Sequence, residues 1–210
     1  MVTLIPITTQ ASPYWDSLVR IYRASFPIDE QRPVESIARL ITEEPRYTMY
    51  AIVDDNDNYD DNKNRHPEGI LSTKLYTLNT KPYTLNPKQT LGLLTTWEFA
   101  DFIYIEHFAI DPEVRSRGYG STTLSTFIKK YGKPIVLEAE PPTDDITHRR
   151  IRFYERQGLT LYDFPYLQPA YTEASQPVEL RLMGTLDIHA TPLPHVSNTL
   201  HREVYGGIVQ

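Results

Sequence analysis

The chain has 210 residues, a net charge of −6 at pH 7 and an isoelectric point near 5.5. That length suits one domain with its own core, and the acidic balance argues against a general nucleic-acid binder while fitting a cationic small-molecule or peptide acceptor. The absence of cysteine excludes disulfides, a Cys-ligated metal and a thiol nucleophile.

The opening MVTLIPITTQ has neither a basic region nor a long apolar run, so it does not read as a signal peptide. No stretch approaches the roughly 20 apolar residues of a membrane span. A cytoplasmic protein without membrane attachment is the expectation. Residues 2–7 read as a strand. Residues 13–26 read as a helix, with Trp15, Leu18, Val19, Tyr22 and Phe26 on one stripe. Residues 34–42 form a second helix with Pro33 near its start, and 47–53 a second strand. The polar run DDNDNYDDNKNRHP from residue 54 invites reading as a calcium loop. It fails, because Tyr59 and Arg65 stand where the loop needs Gly and Glu. With an extra strand over 69–78 and a proline-bearing loop over 81–89, the stretch 54–89 reads as an insertion.

Residues 91–99 and 102–110 predict a hairpin about Ala100-Asp101. A helix follows, with Leu124, Phe127, Ile128 and Tyr131 at i, i+3, i+4 and i+7, Lys129 and Lys130 in its last turn, and Gly132 to stop it. Residues 133–140 form a short apolar strand ended by Pro141-Pro142. Asp144-Asp145 opens the next helix, which runs to about residue 157. Strands over 159–162 and 178–183 and a closing helix carrying Leu193, Val196, Leu200 and Val204 complete a mixed α/β or α+β sheet. Residues 166–171 read as a proline-bearing loop, either a plain one or one whose aromatics, Tyr166 and Tyr171, and amide, Gln168, line an acceptor mouth.

The chemistry concentrates at Arg115-Ser116-Arg117-Gly118-Tyr119-Gly120-Ser121, where a strand turns into a helix. Successive backbone N–H groups at a helix N-terminus bind anions, and phosphate or pyrophosphate is the natural ligand. A dinucleotide fingerprint is excluded because Thr123 replaces its third glycine. A P-loop is excluded because no Gly-Lys-Ser/Thr occurs. A hydrolase elbow is excluded because Ser116 and Ser121 lack flanking glycines. What remains, Arg115-x-x-Gly118-x-Gly120, resembles the pyrophosphate loop of the GNAT superfamily of acyl-CoA-dependent N-acyltransferases. The order strand, Arg-x-x-Gly-x-Gly, helix, strand, helix with Phe153-Tyr154-Glu155-Arg156-Gln157-Gly158-Leu159 extends that resemblance over residues 90–171. Two helices between the first two strands fit it as well. An Asn that the family often carries on the second helix is replaced by Thr147, so any contact credited to it is in doubt.

The resemblance implies a GNAT-like, mostly antiparallel sheet of about seven strands with flanking helices. It implies acetyl-CoA as co-substrate with no metal, its pyrophosphate on Arg115, Ser116, Arg117, Gly118, Tyr119, Gly120 and Ser121, and its pantetheine along Phe108, Ala109 and Ile110. It also implies Tyr154 as the acid that protonates the leaving thiolate; the alternative is that Tyr154 only packs the helix. Glu106 is the candidate base, because a carboxylate in an apolar strand needs a reason and burial would raise its pKa; the alternative is a paired or solvated carboxylate. His107 is expected on the opposite face of the strand, as a packed histidine. Glu30, Trp97, Tyr104, Tyr166 and Gln168 are candidate acceptor contacts. Arg149, Arg150, Arg152 and Arg156 make their helix basic, either as a solvated face or with one of them at a CoA phosphate. The remaining histidines show no metal-ligand spacing. The expected activity is N-acetyl transfer to a primary amine; a non-catalytic acyl-CoA sensor of the same fold is the alternative, and homodimerisation is left open.

Overall fold

The computed structural model describes residues 2–54 and 89–206. The expected extra strand and the polar run of the insertion lie outside the described residues. In chain order come β1 (Val2–Ile7), α1 (Trp15–Ser25), α2 (Val34–Glu43), β2 (Tyr47–Asp54), β3 (Thr90–Glu98), β4 (Ile103–Ile110), α3 (Tyr119–Tyr131), β5 (Ile135–Ala139), α4 (Asp145–Glu155), β6 (Thr160–Leu161), β7 (Tyr166–Gln168), β8 (Val178–Gly184) and α5 (Leu193–Thr199). A π-helical turn, Leu200–Val204, continues α5.

The strands form one eight-stranded sheet in the order β1-β2-β3-β4-β5-β8-β6, with β7 added on β8. The strand beyond the expected seven is β7, in the stretch read from sequence as a loop. Every pairing is antiparallel except β4 with β5. Helices cover both faces. Trp15, Leu18, Ile21 and Tyr22 of α1, Ile37 of α2 and Val196 of α5 bury against one face. Leu124 and Phe127 of α3 and Ile151 and Tyr154 of α4 bury against the other. Their spacings of three and four give each helix one apolar stripe, and each such side chain contributes about 1.5–3 kcal/mol when fully buried.

Two departures from regularity shape the site. In β4 the register against β3 slips between Thr95↔His107 and Thr96↔Ile105, leaving Glu106 as the extra residue of a β-bulge. The bulge resets the alternation of side chains. Ile103, Ile105, Phe108 and Ile110 face α3 and α4, whereas Glu106 bonds Trp97 and Arg32 and His107 meets Tyr22, all on the α1 face. The expectation that Glu106 and His107 point to opposite faces is therefore corrected. The second departure lies next door. The parallel pairing of β4 with β5 covers only Ile103↔Ile135, Tyr104↔Val136 and Ile105↔Leu137. Past the bulge β4 continues without a strand partner on that side among the described residues, and a cleft opens between the two strands.

The two helices that border this cleft start differently. At α4 Asp144 accepts hydrogen bonds from the backbone N–H groups of Ile146 and Thr147, and Thr147 Oγ1 accepts from the Asp144 N–H, a complete capping box. Thr147, the residue in the place of the family asparagine, is thus engaged in closing its own helix. At α3 the N-cap is Gly118, with φ +83° and no side-chain cap. Its left-handed backbone favours glycine, and the first-turn amides of α3 have no intrahelical partner.

Candidate active site

The cleft has a volume of about 700 Å³, and its lining takes in the α3 N-terminus, β4, and Glu30, Tyr171 and Gln168. Arg115, Ser116, Gly118, Tyr119, Gly120 and Ser121 line its α3 end. Ser116 shares with Gly118 a positive φ, at 64° and 83°, so the loop curls at the end of the cleft. Arg115 braces this loop: its Nε donates to the Ile110 carbonyl at 3.0 Å. Arg117 is exposed and is not part of the lining. Gly120 lines the cleft beside Gly118. A Cβ there would stand 3.4 Å from Phe153 Cζ and 3.6 Å from Ile110 Cγ1, ordinary packing distances, so the protein itself does not demand glycine at this position. Phe108, Ala109 and Ile110 line the cleft, on the stretch of β4 that does not pair with β5.

Glu106 is held by four donors. Arg32 Nε and Nη2 reach Oε1 at 2.9 and 2.7 Å, Tyr171 Oη reaches the same oxygen at 3.0 Å, and Trp97 Nε1 reaches Oε2 at 3.0 Å. Its side chain is 0% exposed and that of Arg32 11%. Burial alone would raise its pKa, but the charge of Arg32, the neighbouring His107 and these hydrogen bonds outweigh burial, and the carboxyl lies below the ordinary range. The expectation of a raised pKa is corrected: sequence shows the burial but not the cation. His107 is buried, with Nε2 3.2 Å from Tyr22 Oη and 3.2 Å from the Glu30 carbonyl, and Nδ1 3.3 Å from Thr95 Oγ1. Burial pushes its pKa down.

A second carboxylate lies across the splay. Glu138 of β5 lines the cleft and accepts from two hydroxyls: Tyr166 Oη bonds Oε1, and Tyr205 Oη lies 3.0 Å from Oε2 and 3.3 Å from Oε1. Tyr104 Oη stands behind, 3.0 Å from Tyr205 Oη. Burial pushes the Glu138 carboxyl up to about 7, against the downward pull of the tyrosine hydroxyls.

Tyr154 closes the α4 side. Its ring packs on Phe153, its hydroxyl has no hydrogen-bond partner among the described residues, and the residue lines the cleft. Burial raises its pKa, so the phenol keeps its proton.

A profile of the Acetyltransferase (GNAT) family matches residues 15–159, more than half of the chain. The chain belongs to this family. Its fold agrees over 99% of both chains, with a TM-score of 0.78 and 29% identity, with a candidate GNAT acetyltransferase from Bacteroides thetaiotaomicron. YjbC of Bacillus subtilis, a candidate acetyltransferase, is 37% identical over 62 residues, which span 29% of this chain and 32% of that protein. Arabidopsis thaliana NAA60 in complex with acetyl-CoA shares the fold, covering 88% of this chain and 97% of its own at a TM-score of 0.54 and 13% identity.

Within this GNAT fold the residues expected at the acceptor end divide. Glu30 and Gln168 line the cleft. Burial raises the pKa of Glu30, and the Gln168 side-chain amide nitrogen is buried without a partner among the described residues. Trp97, Tyr104 and Tyr166 are buried outside the lining. Trp97 serves Glu106 with its indole N–H, while Tyr104 and Tyr166 belong to the hydroxyl cluster around Glu138. Of the α4 arginines, Arg150 and Arg156 line the cleft, and Arg150 is paired with Glu140. Among the described residues no cluster of three His, Asp or Glu has metal-binding geometry.

Sequence reasoning missed Arg32, Tyr205 and Glu138; Tyr171, one of the aromatics of the 166–171 stretch weighed for the acceptor end, lines the cleft. Glu138 carried a readable signal, the same one as Glu106: a carboxylate inside an apolar strand, here Ile135–Ala139.

Proposed function

We propose that this chain transfers an acetyl group from acetyl-CoA to a primary amine, by direct attack in a ternary complex. The observation that carries this reading is the contrast at the cleft border: α4 is fully capped, whereas α3 opens its first-turn amides, without a side-chain cap, onto the cleft. The helix dipole and the curled loop suit a pyrophosphate there. The edge of β4 past Ile105, which does not pair with β5 and whose Ile110 carbonyl accepts from Arg115, suits an extended ligand that carries amides near Phe108, because unpaired strand groups seek donors and acceptors. The relative crystallised with acetyl-CoA has the same fold.

In this reading the loop from Arg115 to Ser121 holds the pyrophosphate, and Tyr154 gives a proton to sulfur as the thiolate leaves. A phenol is suited to this, since its basicity is close to that of a thiolate. Glu106 acts differently from a free base. Its oxygens already accept from Arg32, Trp97 and Tyr171, so it fixes the floor on which the acceptor rests. A group that accepts protons poorly at neutral pH is a weak base, however well placed. The partly acidic mouth suits a cationic acceptor. Tyr154, which lines the cleft and whose hydroxyl has no hydrogen-bond partner among the described residues, favours an enzyme over an acyl-CoA sensor. Among the described residues no helix is long and apolar enough to cross a membrane; a cytoplasmic setting, where acetyl-CoA is made and used, is part of the proposal.

The test is a screen of amine classes (peptide N-termini, lysine, polyamines, amino sugars, aminoglycosides) with radiolabelled acetyl-CoA. Stoichiometric transfer to at least one class is expected. Tight acetyl-CoA binding with no transfer to any of them would favour the sensor.

A further inference from the structure

We infer that Glu138, in its cage of tyrosine hydroxyls, receives the ammonium group of the acceptor and takes its proton. This rests on the transfer reading above. Glu138 lines the cleft on the strand opposite Glu106, beyond the point where β4 and β5 stop pairing. Its oxygens are met by hydroxyls of Tyr166 and Tyr205, with Tyr104 behind them. Among the described residues no Lys, Arg or His forms an ion pair with it, in contrast to Glu106, Glu140 and Asp111, each of which holds an arginine. A buried carboxylate without a cation, open to a cleft, is a place for a cation from outside.

The charged and titratable groups around it fit that role. Tyr104 and Glu106 face it from β4, Tyr166 from β7 and Tyr205 from the C-terminal turn. Glu30 and the Glu140–Arg150 pair lie farther along the cleft wall. Burial has already moved the Glu138 carboxyl to about 7, close to where a proton acceptor works best at neutral pH.

The step balances. The ammonium gives one proton to the Glu138 carboxylate, and the neutral nitrogen attacks the thioester carbonyl carbon. The carbon–nitrogen bond forms and the carbon–sulfur bond breaks as Tyr154 gives a proton to sulfur. The second proton lost by nitrogen restores Tyr154 through solvent, and Glu138 releases the first to solvent. The products are an amide, a thiol and one proton.

The experiment uses full-length protein with 13C at the glutamate side-chain carboxyls, saturated with coenzyme A. The signal lost in Glu138→Gln identifies the residue. Its titration midpoint is expected near neutrality, and added n-butylammonium should lower it by at least about one pH unit, as a neighbouring cation does, while n-butanol leaves it in place. Tyr205→Phe, which removes a donor but keeps the ring, should raise the midpoint further. With an acceptor from the screen, Glu138→Gln should lower kcat/KM by about 10²-fold or more and remove the acidic limb, with acetyl-CoA affinity unchanged. A Glu138 signal that titrates in the ordinary carboxylate range, or ignores butylammonium while coenzyme A binds normally, overturns the inference. Failure of coenzyme A to bind counts against the transfer reading instead.

Discussion

Glu106 and Glu138 stand on neighbouring strands, each in an apolar sequence, each buried, on either side of the same splay. One is clamped by a guanidinium and titrates below the ordinary range; the other is surrounded by phenols and titrates near neutrality. Burial acts on both in the same direction, so the difference comes from the partner: Arg32 supplies a full positive charge, whereas a tyrosine hydroxyl supplies a dipole. A buried carboxylate is a structural part or a chemical one according to what sits beside it.

The largest expected effect breaks the pair from the Glu106 side. Glu106→Gln leaves Arg32 buried without its counter-charge, and denaturant unfolding should show a loss of about 3–5 kcal/mol. Glu138→Gln strands no cation and should cost far less at pH 8. Equal losses would show that the two sites do not differ as described.

Next comes Tyr154→Phe. It should reduce kcat by roughly 10²-fold while acetyl-CoA affinity hardly changes. Stability should also hardly change, because the hydroxyl has no protein partner to lose. Single-turnover rates decide this, and transfer at the wild-type chemical rate would remove the acid role.

The third effect is in pH. The folded pKa of Glu138 is raised from 4.5 to about 7, so its contribution to stability is complete below the unfolded value and is lost as pH rises through about 7. Between pH 5 and pH 8 this should cost wild type on the order of 2 kcal/mol, and Glu138→Gln should flatten that part of the curve. Glu106, with its lowered pKa, has the opposite sign: its contribution is lost only as pH falls below the ordinary carboxylate range. Denaturant midpoints across pH in wild type and both variants separate the two.

The smallest effect contrasts the helix starts. Asp144→Ala removes the cap of α4 and should cost about 1 kcal/mol by thermal unfolding without weakening acetyl-CoA binding. Weakened binding would mean that the α4 N-terminus also serves the ligand.

The local features of this architecture were legible. Helix α3, its glycine-bearing start and its Gly132 stop follow from adjacent residues, and so does the hairpin of β3 and β4. The bulge at Glu106 was not, because FIYIEHFAI reads equally well as a regular strand; only pairing with β3 exposes the extra residue. For the same reason the aromatic residues Trp97, Tyr104 and Tyr166 were expected at the acceptor and instead serve the two carboxylates from within the core. An alternating strand says that a side chain faces one side, not whether a cleft or a helix lies there. Arg32 and Tyr205 come from distant parts of the chain, and nothing local marks them as partners of Glu106 and Glu138. Glu138 was within reach, since its strand carries the same anomaly as that of Glu106.

The most direct test of the central claim, that the open start of α3 binds the phosphates of acetyl-CoA, is thermal unfolding with and without acetyl-CoA in wild type and Ser121→Glu. Wild type at about 100 times Kd should gain about 2.7 kcal/mol. The added carboxylate in the first turn should leave the free protein as stable or raise it by about 0.3–1 kcal/mol through the helix dipole, while repelling the phosphates and abolishing the gain. A wild type that responds to no CoA ester, or a variant that gains as much as wild type, would contradict the account.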